Sequence, residues 1–479
     1  MTSVASSDQR SRISDWLGTQ ITDQPITFQM LALGLTWLTI ALGAVALSAP
    51  ATVDALMLGL IVLLPVAGLV AMKPALILLL CVWLIAGASA LIAASQAADL
   101  SGAVIHSSTS IYLSIAFFVL AAFIAKRPDV HARNIMQAYV CAAVLACLAV
   151  HFGYVEQNPG MDHQATYVDR ATDWLANSSA FGSFLVLPFL YVLHLMISRP
   201  LTNAVVPASI FALLGSAVLI SSWPDAKANL IVGGIAYAFL AFTTSPTQLQ
   251  RLKLILIAAL GSVVLAGVLV VSAQQPQTSE VLAERAKAMQ TNQASDAERW
   301  GGYSKAAKTI PLKPLGIGAF EFDQHDQNVK LNNVYLNTML QRGWISGLIF
   351  MAITLLTVTA GFAHAIKPGR LQPMIIITYS AFLGLVVQGL TSDLEHWRHY
   401  YLTVAVLWGL IASNGQSLAF DEQAVDADQT VSADDDIHFG QDRVPTIIGP
   451  GRKTIAVKEP EERRDRSHRP RRPQSMAYT

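Results

Sequence analysis

The chain alternates long apolar runs with short polar segments. The runs are roughly 20 residues long, the length a helix needs to cross about 30 Å of hydrocarbon. They predict membrane-spanning helices near 27–49, 53–72, 74–94, 109–125, 134–153, 178–198, 203–221, 226–243, 252–272, 344–366, 373–391 and 396–413. The expected fold class is an all-α polytopic membrane protein of about twelve transmembrane helices. The first run follows a polar segment with Asp8, Arg10, Arg12, Asp15 and Asp23, and is too long for the apolar core of a signal peptide. It reads as a retained span.

Three segments interrupt this pattern. The loop at 154–177 carries Asp162, His163, Asp169, Arg170 and Asp173. The segment 273–343 is the largest, and its last part, Asn332–Gly343, is amphipathic. There Asn333, Asn337 and Gln341 fall at i, i+4 and i+8, beside an apolar stripe of Leu336 and Leu340. Such a helix suits the membrane interface or the lid of a cavity. The tail, 414–479, runs acidic and then basic, with few aromatics, and is expected to be disordered. The chain thus divides into an N-terminal segment 1–26, nine spans in 27–272, the loop 273–343, three spans in 344–413, and the tail.

Composition agrees with this division: 53% of residues are hydrophobic and 13% charged, against about 25% charged in a soluble domain. The net charge is zero, so only its distribution informs. Arg10, Arg12, Lys73, Lys126, Arg127, Arg133, Arg199, Arg251, Lys253, Lys367 and Arg370 fall in alternate loops. The short loops between them hold only Arg170, Lys227 and Arg398. The positive-inside bias therefore predicts both termini in the cytoplasm and 273–343 on the far side. Cys81, Cys141 and Cys147 all sit in apolar runs and suggest neither a disulfide framework nor a metal site. No nucleic-acid partner is expected.

Polar groups concentrate on the far side, at 154–177, 222–229, 273–343 and 391–399. A transporter keeps its functional polar groups within its spans. A site at the outer face, open to both bilayer and water, suits a lipid-linked substrate better.

The stretch Glu298-Arg299-Trp300, then Ala306, then Pro314-Leu315-Gly316-Ile317-Gly318-Ala319-Phe320 resembles a motif of the bacterial O-antigen ligase and polysaccharide polymerase family. Leu331-Asn332-Asn333-Val334-Tyr335-Leu336, followed by Gly343 and Gly347, is similar to that family's next element. Ala176-Asn177-Ser178-Ser179-Ala180, opening a span with Pro188, is similar to the start of a middle span. The likeness covers roughly 130–413 in order and topology. It implies a dozen-span bundle in the inner membrane with a long periplasmic loop. It also implies metal-independent, cofactor-free transfer of an undecaprenyl-diphosphate-linked glycan to a sugar acceptor. Polymerases use another lipid-linked repeat as acceptor; ligases use the lipid A core. Two departures stand out. Asn332 occupies the place of a family histidine, and Ser221-Ser222 is not followed by the family's arginine. Both weaken ligation more than polymerisation.

Candidate site residues follow. Arg299 suits the leaving diphosphate, because a guanidinium offers a planar two-pronged fork; the plainer reading pairs it with Asp296 or Glu298. Lys227 is a candidate second phosphate contact, or a lysine snorkelling from a helix end. His325 and Asp326 are candidates for the base that accepts the acceptor's proton. Asn332, Asn333 and Asn337 suit sugar hydroxyls, with a helix cap as the alternative. Arg398, in the loop with Glu395, His396 and His399, completes the substrate-binding set, with end-capping as the plainer role. The expected function is polymerisation of the lipid-linked repeat units of an O-antigen or exopolysaccharide. Ligation to lipid A core, flipping of a lipid-linked oligosaccharide and scaffolding are the rivals. Chain-length regulators or other assembly proteins are the expected partners.

Overall fold

The computed structural model describes residues 28–44, 52–151, 178–200, 203–220, 224–245, 247–259, 300–322 and 331–414. Those residues are mostly helical, with no strand among them. In chain order the helices are α1 Phe28–Ala41, α2 Thr52–Val66, α3 Pro74–Ala94, α4 Leu100–Lys126, α5 Pro128–His151, α6 Ser178–Ser198, α7 Val205–Ile220, α8 Pro224–Thr244, α9 248–259, α10 300–309, α11 Val334–Ala365, α12 Gln372–Gln388 and α13 398–414. Among the described residues, four stretches are long and apolar enough to cross a membrane: Pro74–Ala94, Leu100–Lys126, Phe181–Ser198 and Val334–Ala365. Shorter apolar helices lie at Phe28–Ala41, Val53–Val66, Val205–Ser216, Ala228–Thr244 and Gln372–Gln388. This is an all-α membrane protein.

Its exterior is apolar as well as its core. Leu78, Ile85 and Ile92 are exposed along one face of α3, while Leu76, Leu79, Trp83, Ala86 and Ala90 are buried on the other. A helix apolar on both faces packs inward against protein and outward against lipid. The last helix, α13, is buried on every side from Thr403 to Ile411. Trp408 Nε1 ties it to Thr357 Oγ1 of α11 at 3.0 Å.

Helices meet where side chains are small. α8 packs along α12, and a β-carbon on Gly384 would lie 2.0 Å from Asn229 Oδ1. Close backbone approach at small residues is how membrane helices gain van der Waals contact without a hydrophobic drive between them. Gln388 Oε1 accepts from Asn229 Nδ2 at 2.9 Å and from Ser183 Oγ at 2.6 Å, joining α6, α8 and α12.

Two boundaries differ from the hydropathy reading in ways that position the site. Helix α4 begins at Leu100, capped by Asp99, whose carboxylate accepts from Gly102 N, rather than near 109. The segment 334–343 and the following span form one helix, α11, interrupted only at Gly343, whose φ is 85°.

Candidate functional site

The two glycine-bearing stretches fold against each other. After α10 the chain makes a short 3-10 turn, Ile310–Leu312, and the loop 314–318 crosses the middle of α11. Ile317 N donates to Leu340 O at 2.9 Å, Gly318 N to Gln341 O at 3.1 Å, and Trp344 N to Pro314 O at 2.9 Å. The loop thereby caps the carbonyls freed where α11 breaks. Only glycine fits at the crossing. Gly316 and Gly343 both have positive φ, and a β-carbon on either would lie 2.6 to 2.7 Å from the other's backbone segment.

The loop then runs beside the α3–α4 connection. Ala98 N donates to Glu321 Oε1 at 2.6 Å, and the Phe320 ring lies edge-on to His106 at 5.0 Å. His106 leads into a buried ionised cluster. Arg342, on the last turn of α11 before its break, forms an ion pair with Glu395 and donates to Ser110 Oγ. Ser110 Oγ also donates to Glu395 Oε1 at 3.2 Å and lies 3.1 Å from His396 Nε2. His106 Nε2 is 3.4 Å and His396 Nε2 3.8 Å from Glu395 Oε1. The side chains of Arg342 and Glu395 are 7% and 3% exposed, whereas that of His396 is 28% exposed. His396 is the member of the cluster within reach from outside. Its partial burial, with His106 and the Arg342 guanidinium alongside, holds its imidazole well below the usual histidine range.

The donor atoms of His106, Glu395 and His396 lie within 4.8 Å of one another, close enough to hold a metal ion. The Arg342 guanidinium already occupies the shared carboxylate oxygen and brings the positive charge a metal would supply. The trio reads as an ion-paired cluster.

The asparagine stripe borders this cluster and faces protein. Asn333 caps α11, accepting from Tyr335 N and Leu336 N at 3.0 Å and donating through Nδ2 to Leu390 O at 3.0 Å. Its side chain is thus committed to the fold. The Asn332 carbonyl accepts from Tyr303 Oη at 3.1 Å. Asn337 Nδ2 donates to Asp393 Oδ2 at 2.8 Å, and Asp393 Oδ1 caps the Glu395 amide at 3.1 Å. Asn337 Oδ1, Gln341 Oε1 and Glu395 Oε2 are buried acceptors without a hydrogen-bond partner among the described residues. Buried polar atoms in native proteins nearly always have partners, so these ask for donors from elsewhere.

The remaining candidates are placed differently. Arg398 forks onto Asp54, Nε to Oδ1 at 2.8 Å and Nη2 to Oδ2 at 2.5 Å, at the start of α13. Lys227 falls near the start of α8, and its side chain lies outside the described part. Arg299, His325 and Asp326 lie outside the described residues, Arg299 immediately before α10.

Sequence reasoning missed His106, Ser110 and Arg342 as site residues. A signal existed for Arg342: an arginine within a chain segment that leads directly into a span is rarely idle. No family model and no curated protein matches this chain. What the fold and the cluster define is an α-helical membrane protein with a polar, ionised site built between α4, α11 and the loop before α13.

Proposed function

We propose that this protein is an inner-membrane glycosyltransferase that polymerises undecaprenyl-diphosphate-linked repeat units of an O-antigen or exopolysaccharide. The observation that carries the reading is the meeting of both resemblance-bearing stretches, 314–320 and 331–347, at one buried Arg342–Glu395 cluster with a reachable base. In this reading a hydroxyl oxygen of the acceptor sugar attacks the anomeric carbon of the donor. The bond from that carbon to the diphosphate oxygen breaks with inversion, and its electron pair leaves on the diphosphate. The hydroxyl proton passes to His396, whose ring is held at Nε2 by Ser110 Oγ and the His106 carbonyl. Arg299, with Lys227, neutralises the departing diphosphate. The buried acceptors Asn337 Oδ1 and Gln341 Oε1 hold sugar hydroxyls.

The same proposal sets twelve spans, both termini in the cytoplasm and 273–343 in the periplasm. Reporter fusions after Gln277 and after Gly451 should fall on opposite sides, the second cytoplasmic; a shared side defeats the topology.

Activity is tested in a deletion strain. Polymerase function predicts loss of long glycan chains with single repeats retained. Free lipid-linked polymer with no attached glycan would mean a ligase, and repeats trapped on the cytoplasmic face a transporter. Complementation with Arg299→Ala should lower turnover on the order of 10²–10³-fold, and Arg299→Lys should rescue it only in part, since a point charge cannot fork. Near wild-type chains from Arg299→Ala would remove that residue from the site.

A further inference from the structure

Away from the cluster, α1, α2, α4, α5, α6 and α13 line a half-open pocket. Its walls are largely apolar, with Met57, Phe117, Phe184 and Leu402 among them. Apolar walls with a few placed polar groups are the character of a small-molecule site. At its edge Tyr112, Asp54 and Arg398 bind one another, the Tyr112 hydroxyl 3.4 Å from Asp54 Oδ1.

The unsatisfied group is His399. It lines the cavity, is 3% exposed, and neither ring nitrogen has a hydrogen-bond partner among the described residues. Its ring neighbours are aromatic: Trp397 at 5.0 Å and Phe184 at 6.3 Å. An orphaned imidazole in such walls is unfavourable by about the desolvation penalty of an unmade hydrogen bond. It is unexplained by packing alone, since a phenyl ring would fill the same space without that penalty.

The charge at the edge narrows the ligand. Arg398 is forked onto Asp54, so the nearest cation is already neutralised and does not recruit an anion. A neutral head fits better. A hydroxyl pairs with whichever imidazole nitrogen faces the cavity, as donor or as acceptor. We propose that this cavity binds a single-chain neutral amphiphile, a lipid alcohol by chemical class, with its chain among Met57, Phe117, Phe184 and Leu402 and its hydroxyl on His399. This site is separate from the glycan site proposed above and does not depend on that reading. Its ligand carries neither sugar nor diphosphate.

The test uses the full-length protein in nanodiscs and a hexadecanol bearing a diazirine. Photolabelling should saturate, map to cavity residues of α2, α4 or α13, and be displaced by unlabelled hexadecanol in preference to hexadecyl phosphate. His399→Phe keeps the ring volume and removes the hydrogen bond; affinity should fall about fivefold. Met57→Trp fills the cavity from a partly buried position on α2 and should abolish saturable labelling. Either variant suffices should the other fail to fold. Labelling that does not saturate, maps only to outward-facing residues, or is unchanged in the folded variants would overturn the proposal and leave ordered water as the partner of His399. Stronger displacement by hexadecyl phosphate would overturn the neutral head.

Discussion

Two arginine–carboxylate pairs flank one short loop, and they belong to different regimes. Arg342 and Glu395 are 7% and 3% exposed and share their surroundings with Ser110, His106 and His396. Arg398 and Asp54 are 29% and 21% exposed and meet as a simple two-pronged fork. The ion types are the same, and the fork is the more regular of the two. The difference is water. In the buried cluster each charge depends on its partner, because an unpaired ion there loses its hydration without compensation. The fork is only partly buried, so the loss of one partner costs less there. Strong fields suited to catalysis arise in the first environment, so the arginine nearest the loop in sequence, Arg398, is the less consequential one.

The largest expected effect follows from breaking the buried pair. Arg342→Met should destabilise the protein by about 3–5 kcal/mol, since it leaves Glu395 buried and unpaired. Adding Glu395→Leu should restore most of that stability, because well-packed apolar groups can replace a buried ion pair at little loss. Glycan chain formation should be lost in both. Thermal unfolding of the purified protein and the gel profile of the glycan separate the two readouts. A stable, active single variant would place this pair in the same regime as the half-buried one.

A smaller effect is expected at the crossing that holds Arg342 in place. Gly343→Ala forces a side chain into φ 85° and within 2.7 Å of the Leu315 carbonyl carbon. Residues held in such backbone conformations cost about 1–3 kcal/mol, and the overlap adds to it. Gly234 in α8 is the control, with open space around it. There alanine should stabilise the helix by roughly 0.5–1 kcal/mol. Equal thermal shifts at both positions would mean that the loop does not bear on α11.

Much of the fold was legible from hydropathy. Helices α3 and α6 run Pro74–Ala94 and Ser178–Ser198, the spans that the apolar runs mark. The start of α4 was not. Ser107, Ser108, Thr109 and Ser110 dilute the hydropathy there, so 100–108 reads as loop. In the fold two of those hydroxyls turn inward: Ser107 Oγ donates to Ala90 O at 3.3 Å, and Ser110 faces Glu395. Polarity lowered the span signal because this end of the helix carries the site. The cluster was harder still, since Arg342 and Glu395 are paired only through the folding of α11 against α4 and the loop before α13. Asn333 shows the opposite case. Its cap was one of the two readings its position allowed, and local spacing was enough to raise it.

The smallest expected effect tests the half-buried pair. Asp54→Asn and Arg398→Gln, alone and together, form a double-mutant cycle in which each change keeps the side chain's shape and removes its charge. The coupling should be roughly 0.2–1 kcal/mol and should shrink as salt rises, because partly hydrated charges are screened within a Debye length of about 10 Å at 0.1 M. Neither single variant should abolish glycan chain formation. The fork would then act as a clasp between α2 and the start of α13, joining helices that the chain brings together from its two ends. A coupling of several kcal/mol, insensitive to salt, would show that Asp54 and Arg398 are desolvated in the membrane as fully as Arg342 and Glu395. The exposure of the two pairs would then no longer explain their difference, and Arg398 would return as a candidate for holding the anionic substrate.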